Sequence, residues 1–550
     1  MRLTYVAMAA LVGAAQVSVA ARLNGWYPCG FSEYDASNAM YGDVAFECAE
    51  VEVPLCHPGI CTSDKNIAVF IKRVVARSSS KAAKALWFVQ GGPGASSSQM
   101  EYDMITQYEL LDGKVDVYTI DHRGTGRSNF LHCDAAQAQS GGSPKGIEIS
   151  MDELPYCIQD LNFQIDNQTA AYSVTSAATD LKVIIETFQA DQDVFAFGYS
   201  YGTFFLERLM QLAPKPVRGF ILDGVDVATT PEDPLESANS HWNKLIIGPS
   251  RRFLEYCYDD PQCPLKFHSR ETVLEEVMAF YKRLDEERDS NRCAQVLMDH
   301  LDENYPSVAL RSLLSSMVAD VDERELVPWI LAKAKRCSTE DAHALEREVP
   351  RFGKPTARRV IDRVADDNDL LFSLIVASER WAQPSPTLRE QRKFYLNGPF
   401  SVSSDGSFEM YCIYHQERDP ACADISHQLP KSELFAYERD QYFGRRITLP
   451  DNVGLLLFNG GLDFATPSEM GELLYSKVDG GKARAMVHFQ YGSHTYGEAT
   501  ASDPNPRCHD SMLADFVRHD GDADAVDTSC MAHLPPLHFY TDDDDAYYYR

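Results

Sequence analysis

Apolar residues along the chain follow two rhythms. Four runs are short and unbroken: Ala85-Leu86-Trp87-Phe88-Val89, Val194-Phe195-Ala196-Phe197, Gly219-Phe220-Ile221-Leu222 and Val453-Gly454-Leu455-Leu456-Leu457-Phe458. Continuity at that length predicts strands covered on both faces. Residues 115–120 and 485–489 predict two more, and the β-like runs 46–55 and 67–75 predict an antiparallel hairpin that opens the sheet. The second rhythm is helical. After Ser173, Leu181, Ile184, Ile185 and Phe188 fall at i, i+3, i+4 and i+7, one apolar face suited to a sheet, and residues 203–210 read as another helix. Strands alternating with helices imply a mostly parallel sheet.

The character changes after about Thr229. Val273, Leu274, Val277, Met278, Tyr281 and Leu284 form a helical stripe, as do Leu310, Leu313, Leu314 and Met317. From there to roughly Arg445 strand signals are few. The expected organisation is therefore an α/β core over residues 21–228, an inserted and mainly helical cap over 229–445, and a resumed core over 446–540. The acidic end, 541–550, is expected to be solvated. Residues 140–146, Ser-Gly-Gly-Ser-Pro-Lys-Gly, read as an exposed loop, and no internal repeat is present.

Composition narrows the setting more than the chemistry. The 550 residues, 44% hydrophobic and 24% charged, carry a formal charge of −30, which argues against nucleic acid or an anionic membrane as the main partner. Residues 1–20 have a positive Arg2, a short run of small apolar residues and a small-residue cleavage site, the pattern of a secretory signal peptide rather than a membrane anchor. Secretion, to the outside or to a lysosome- or vacuole-like compartment, follows. Fourteen cysteines agree with an oxidising environment, and none has the paired Cys-x-x-Cys spacing of a zinc site. Neither cofactor nor metal is expected. Short-range neighbours such as Cys133/Cys157, Cys257/Cys263, Cys412/Cys422 and Cys508/Cys530 are the expected disulfide partners. Asn167-Gln168-Thr169 is an N-glycosylation acceptor in a polar stretch.

The candidate chemistry gathers around Gly198-Tyr199-Ser200-Tyr201-Gly202, which sits between a predicted strand and a predicted helix. This is the context of a nucleophile elbow, where a sharp turn lifts the serine hydroxyl clear of the sheet and the flanking glycines avoid backbone collisions. Serine needs a base, and the base needs an acid to orient it. Functional groups in open α/β sheets collect at the carboxyl ends of strands. His494 lies in a Gly/Ser loop just past one strand, whereas His488 lies inside that strand and reads as structural. Asp463 follows residues 453–458, and the order Ser200, Asp463, His494 is the nucleophile–acid–histidine order of α/β hydrolases. Asp223, at another strand end, is the runner-up acid, with a hydrogen-bonding role the better reading of it. The oxyanion would be met by the backbone N–H of Tyr201 and of Gly92, the latter in the loop Gln90-Gly91-Gly92-Pro93-Gly94.

Taken together, Gln-Gly-Gly-Pro-Gly (90–94), Asp-His-Arg-Gly-Thr-Gly-Arg-Ser (121–128), Gly-Tyr-Ser-Tyr-Gly-Thr (198–203) and Gly-Phe-Ile-Leu-Asp-Gly-Val-Asp (219–226) resemble the proline iminopeptidase and tripeptidyl aminopeptidase family of secreted serine peptidases. The resemblance runs from about Phe46 to Phe539 and is weakest in the cap. It implies an α/β-hydrolase fold, a Ser200/Asp463/His494 triad, and peptide substrates with a free N-terminus, from which short pieces are removed. Asp121 and Arg123 would then be structural. Gln90 stands where many relatives have His, and Cys56 where relatives commonly have Asp, which suggests a private disulfide. Ser378-Glu379-Arg380-Trp381 is similar to a cap segment carrying an acid that holds the substrate ammonium, making Glu379 the candidate. Its rival reading is a surface glutamate paired with a neighbour.

Two other functions share these residues. An esterase or lipase uses the same acyl-transfer machinery, and a non-catalytic binding protein could sit on the same scaffold, though such proteins typically lose a triad member. An epoxide hydrolase needs a carboxylate nucleophile where Ser200 stands.

Overall fold

The computed structural model describes residues 21–31, 44–77, 83–133, 136–137, 149–301, 303–351, 367–416, 418–495 and 508–542. The leader, the 140–146 loop and residues 543–550 lie outside them. Twelve strands are present among the described residues: β1 (Arg22–Leu23), β2 (Tyr27–Cys29), β3 (Phe46–Pro54), β4 (Asn66–Val74), β5 (Lys84–Val89), β6 (Asp116–Asp121), β7 (Asp193–Tyr199), β8 (Val217–Asp223), β9 (Ile447–Leu449), β10 (Gly454–Gly460), β11 (Val478–Gly480) and β12 (Arg484–Phe489). The main sheet runs β1-β3-β4-β6-β5-β7-β8-β10-β12, with β2 on β3; β9 and β11 form a separate parallel pair. From β6 to β12 all pairings are parallel, and β3 and β4 form the antiparallel hairpin expected at the opening.

The unbroken apolar runs are explained by two buried faces. Ala85, Trp87 and Val89 of β5 enter one core with the helices Val174–Phe188 and Tyr201–Leu212; Leu86 and Phe88 enter another with the helices Glu101–Leu110 and Cys508–Arg518. Strand side chains alternate, so each run supplies both cores. Ser173 caps its helix by accepting a hydrogen bond from Ser176 N.

Among the described residues between β8 and β9 there is no strand. The insertion is nevertheless not one body. Ile246 to Val349 contribute a core of their own, closed by Leu462, Phe464, Leu537, Phe539 and Tyr540. Buried apolar residues of 370–381 and 408–437 instead merge with the core above the sheet, and Phe400 between them joins the separate core. Asp542, expected to be solvated, accepts from Trp329 Nε1 at 2.8 Å and pairs with Lys333 at 2.7 Å.

Six disulfides join Cys29–Cys48, Cys56–Cys61, Cys257–Cys263, Cys293–Cys337, Cys412–Cys422 and Cys508–Cys530. Such a set fits an oxidising, extracellular setting. Cys133 and Cys157 are not joined; both are buried, and a hydrogen bond between their sulfurs pushes the Cys157 thiol up. Asn167 is exposed in the turn after the helix Leu154–Gln164. No helix among the described residues is long and apolar enough to cross a membrane.

Candidate active site

Ser200 terminates β7 and begins the helix Tyr201–Leu212 with φ 55° and ψ −129°, a backbone conformation rare for a residue with a side chain. The flanking glycines make it reachable. A Cβ on Gly198 would lie 2.7 Å from Gly202 O, and one on Gly202 would run into Val89 O of the neighbouring strand. Hydrogen bonds hold the corner. Ser200 N donates to Asp223 O at 3.0 Å, Thr203 Oγ1 donates to Ser200 O at 2.6 Å, and Asp226 N donates to Thr203 Oγ1 at 2.7 Å.

Asp463 and His494 come from the loops after β10 and β12. Those loops cross so closely that Gly460 and Gly461 have no room for side chains; a Cβ on Gly460 would lie 2.6 Å from Gly492 O. Gly461 N and Leu462 N donate to Phe489 O and Gly492 O, both at 2.8 Å. Asp463 is fully buried. Its Oδ1 accepts from Ala465 N and Thr466 N, and its Oδ2 accepts from Thr466 Oγ1 at 2.9 Å and His494 Nδ1 at 2.9 Å. A carboxylate only accepts, so the proton is on Nδ1 and Nε2 keeps its lone pair for use as a base. Burial pulls His494 down, but the charge and hydrogen bond of Asp463, with Asp223 and Asp226 behind, lift its pKa above the ordinary 6.5. Ser200 and His494 flank the same strand end. Asp223 O holds Ser200 N, and a Cβ on Gly224 would lie 3.0 Å from the His494 ring.

Gly92, Ser200 and Tyr201 line one cavity of about 260 Å3. Gln90 accounts for the loop shape. Its Oε1 accepts from Gly91 N at 2.7 Å and its Nε2 donates to Gln99 Oε1 at 2.9 Å, which occupies the Gly91 donor and leaves Gly92 as the loop's candidate. From the far side, Asn368 N donates to Gly94 O at 3.0 Å and Asn368 Nδ2 to Gly124 O at 2.7 Å. Asp121 fixes the adjoining loop by accepting from Ser97 N and Arg127 N at 2.8 Å each, and Arg123 is locked between Asp180 and the carbonyls of Pro54, Leu55 and Ala171.

Glu379 is not in this cavity. It is buried, its Oε2 pairs with Arg208 at 3.0 Å, and its Oε1 accepts from Tyr437 OH at 2.9 Å and Val174 N at 3.3 Å. It is not the surface residue of the rival reading, and both its oxygens are engaged, by Arg208, Tyr437 and Val174. The next residue, Arg380, lines the cavity in its place and pairs with Asp226, which also lines it. Among the described lining residues Asp226 is the one carboxylate and Arg380 the one cation. Burial raises the Asp226 pKa to about 6 despite Arg380.

The sequence signals missed these two, and missed His509. That residue follows Cys508, pairs with Asp223 at 3.2 Å, and is pushed up to about 10 by Asp223 and Asp510 against the pull of burial. Asp223 is thus a buried partner of His509 rather than an alternative triad acid. His488 lies on the exposed side of edge strand β12. A second cavity, about 620 Å3, adjoins the first and shares Asn239, Trp242 and Val376 with it. Among the described residues no cluster of three or more metal-ligating side chains is present.

Comparison with known proteins agrees on the architecture. Residues 84–276 match the family described as alpha/beta hydrolase fold. No curated protein matches the chain in sequence. Solved structures that align with it include the epoxide hydrolase of potato (Solanum tuberosum), 10% identical over 82% of this chain and 95% of that one, TM-score 0.31. A lipase in its open form is 13% identical over 86% and 99%, TM-score 0.31. A monoacylglycerol lipase of Paleococcus ferrophilus is 14% identical over 82% and 99%, TM-score 0.30. Likenesses of that size carry no argument about activity. The chain has the α/β-hydrolase fold, with a mostly parallel sheet and many helices.

Proposed function

We propose that this hydrolase is a serine exopeptidase that removes short pieces from peptide N-termini through an acyl-enzyme. One observation supports it most: Ser200 stands on a strained corner in a small cavity with Gly92 and Tyr201, and the Asp463–His494 pair abuts the same strand end. In this reading Ser200 Oγ bonds to the scissile carbonyl carbon while its proton passes to His494 Nε2. The N–H groups of Gly92 and Tyr201 take the oxyanion. His494 returns the proton to the departing amine as the C–N bond breaks, and water repeats the sequence on the ester. Asp463 keeps the imidazole oriented and its cationic form favourable. The sequence resemblance supports the peptidase reading; Asp226, the one carboxylate among the described residues lining Ser200's cavity, is the candidate for an N-terminal ammonium, which would compete there with Arg380.

The test is product analysis on peptides of graded length with free or acetylated N-termini. Free peptides should lose fixed short pieces and acetylated ones should resist; indifference to the block would overturn the exopeptidase reading. The acid limb of kcat/KM should lie above pH 6.5, since only neutral imidazole accepts the proton and its pKa is raised. A carboxylesterase is the second reading, favoured by the weakly charged second cavity, and acyl esters assayed beside the peptides separate the two.

A further inference from the structure

Two helical faces look at one another across the second cavity. The helix Asp405–Tyr414 presents Ser407, Met410, Tyr411 and Tyr414, spaced i, i+3, i+4, i+7. Opposite, the helix Asp369–Ile375 and the π-helical turn Val376–Arg380 that continues it present Leu370, Ser373, Val376 and Ala377. Apolar stripes at this spacing normally close on each other as a core. Here they meet at one end, where Trp381 stacks on Tyr411 with centroids 5.0 Å apart, and elsewhere they bound about 620 Å3 of space.

The π turn borders both cavities. Val376 faces both, Arg380 faces Ser200's cavity, and Ala377 faces the chamber, while Glu379 points away into its bond with Arg208. Wide turns of this kind inside helices are frequent at functional sites. Trp242 and Asn239 form the rest of the shared wall. The two spaces differ in chemistry. The catalytic cavity holds Asp226 and Arg380 and is small. The chamber has Asp369, a solvent-exposed residue, as the one acidic or basic side chain among its lining residues, and its volume is within the roughly 300–1,000 Å3 that encloses a sizeable ligand.

We propose that the chamber is the subsite for the apolar side chains of the peptide piece that is released, so that substrates are selected for aliphatic or aromatic residues there. This rests on the exopeptidase reading above. Walls with Asp369 as their one charged side chain penalise most charged side chains by desolvation, and aromatic walls reward apolar area. Selection by the chamber is therefore a matter of side-chain polarity.

The experiment compares kcat/KM for free-amine tripeptidyl coumarylamides carrying leucine or phenylalanine with their glycine counterparts, and for p-nitrophenyl decanoate with p-nitrophenyl acetate. The wild-type enzyme should prefer the apolar tripeptides by about 10- to 100-fold. Ser407→Trp, at an exposed position on the chamber face, should reduce that ratio by about tenfold. Glu409→Trp, on the same helix but outside the lining, should leave it unchanged. An equal ratio in Ser407→Trp and wild type overturns the proposal. A ratio lost for decanoate over acetate but absent for peptides also overturns it, and assigns the chamber to a fatty acyl chain. Turnover of the esters with none of any tripeptide would instead overturn the exopeptidase reading.

Discussion

The ends of the parallel strands and the helical layer above them are built on different principles. At the strand ends, positions are set by backbone sterics over a few residues: Gly198 and Gly202 permit the turn at Ser200, and Gly460 and Gly461 permit the crossing that brings Asp463 to His494. In the helical layer, positions are set by polar pairs between residues far apart in sequence. Arg208 reaches Glu379, and Arg380 reaches Asp226. The first kind of construction leaves a local signature, and the second does not. In the mechanism proposed above, chemistry is therefore carried by the part of the molecule that is easiest to recognise, and selectivity by the part that is hardest.

The sharpest way to break the contrast is at Ser200. Ser200→Ala should lower kcat/KM by about four to six orders of magnitude. Its melting temperature should stay within about 3 °C of wild type, because the corner is held by backbone and Thr203 rather than by the hydroxyl. Near-normal turnover would remove the serine mechanism altogether.

Glu379→Leu tests the other side. Removing Glu379 leaves Arg208 with Asp440 at 3.3 Å as its remaining ion-pair partner and takes the acceptor from Tyr437 OH, and the expected loss is about 3 kcal/mol of stability in denaturant unfolding. Should stability hold while KM rises more than tenfold for free-amine peptides alone, Glu379 would be a substrate ligand and the contrast would collapse at its centre.

The smallest effect lies at the seam. Glu207 sits on the helix behind Ser200, accepts from Ala228 N at 3.0 Å, and is raised by burial from 4.5 to about 7. The folded protein thus keeps a proton that the unfolded chain releases above pH 4.5. Stability attributable to this group is full below that pH and declines as the pH rises to about 7. Gln in its place is neutral throughout and still accepts from Ala228. Glu207→Gln should be more stable than wild type by roughly 1–3 kcal/mol at pH 8 and equal to it near pH 4.5. A difference independent of pH would mean that the group does not titrate in this window.

Legibility follows the same division. The strand runs announce themselves because two buried faces demand consecutive apolar residues, and the strand ends then narrow fifteen histidines to His494. The helical stripe from Val273 is visible for the same reason. Arg380 carries no such mark: nothing around Ser-Glu-Arg-Trp tells which of the two charged neighbours faces the cavity, since that is decided by a π turn and by Arg208 on a distant helix. His509 is hidden similarly, its partner Asp223 lying nearly three hundred residues earlier. Short-range disulfides such as Cys257–Cys263 follow from spacing, whereas Cys29–Cys48 and Cys293–Cys337 follow from the fold.

Residues 508–542 have a consequence for how the molecule is made. Met512, Leu513 and Phe516 finish the core beneath the sheet, and Leu537, Phe539 and Tyr540 finish the separate core of the helices Ile247–Asp259 to Thr339–Glu348. These side chains leave the ribosome after everything they cover. A nascent chain halted before them presents two open apolar surfaces at once, one beneath the sheet and one in the separate helical core, and both are exposed to aggregation until they are closed.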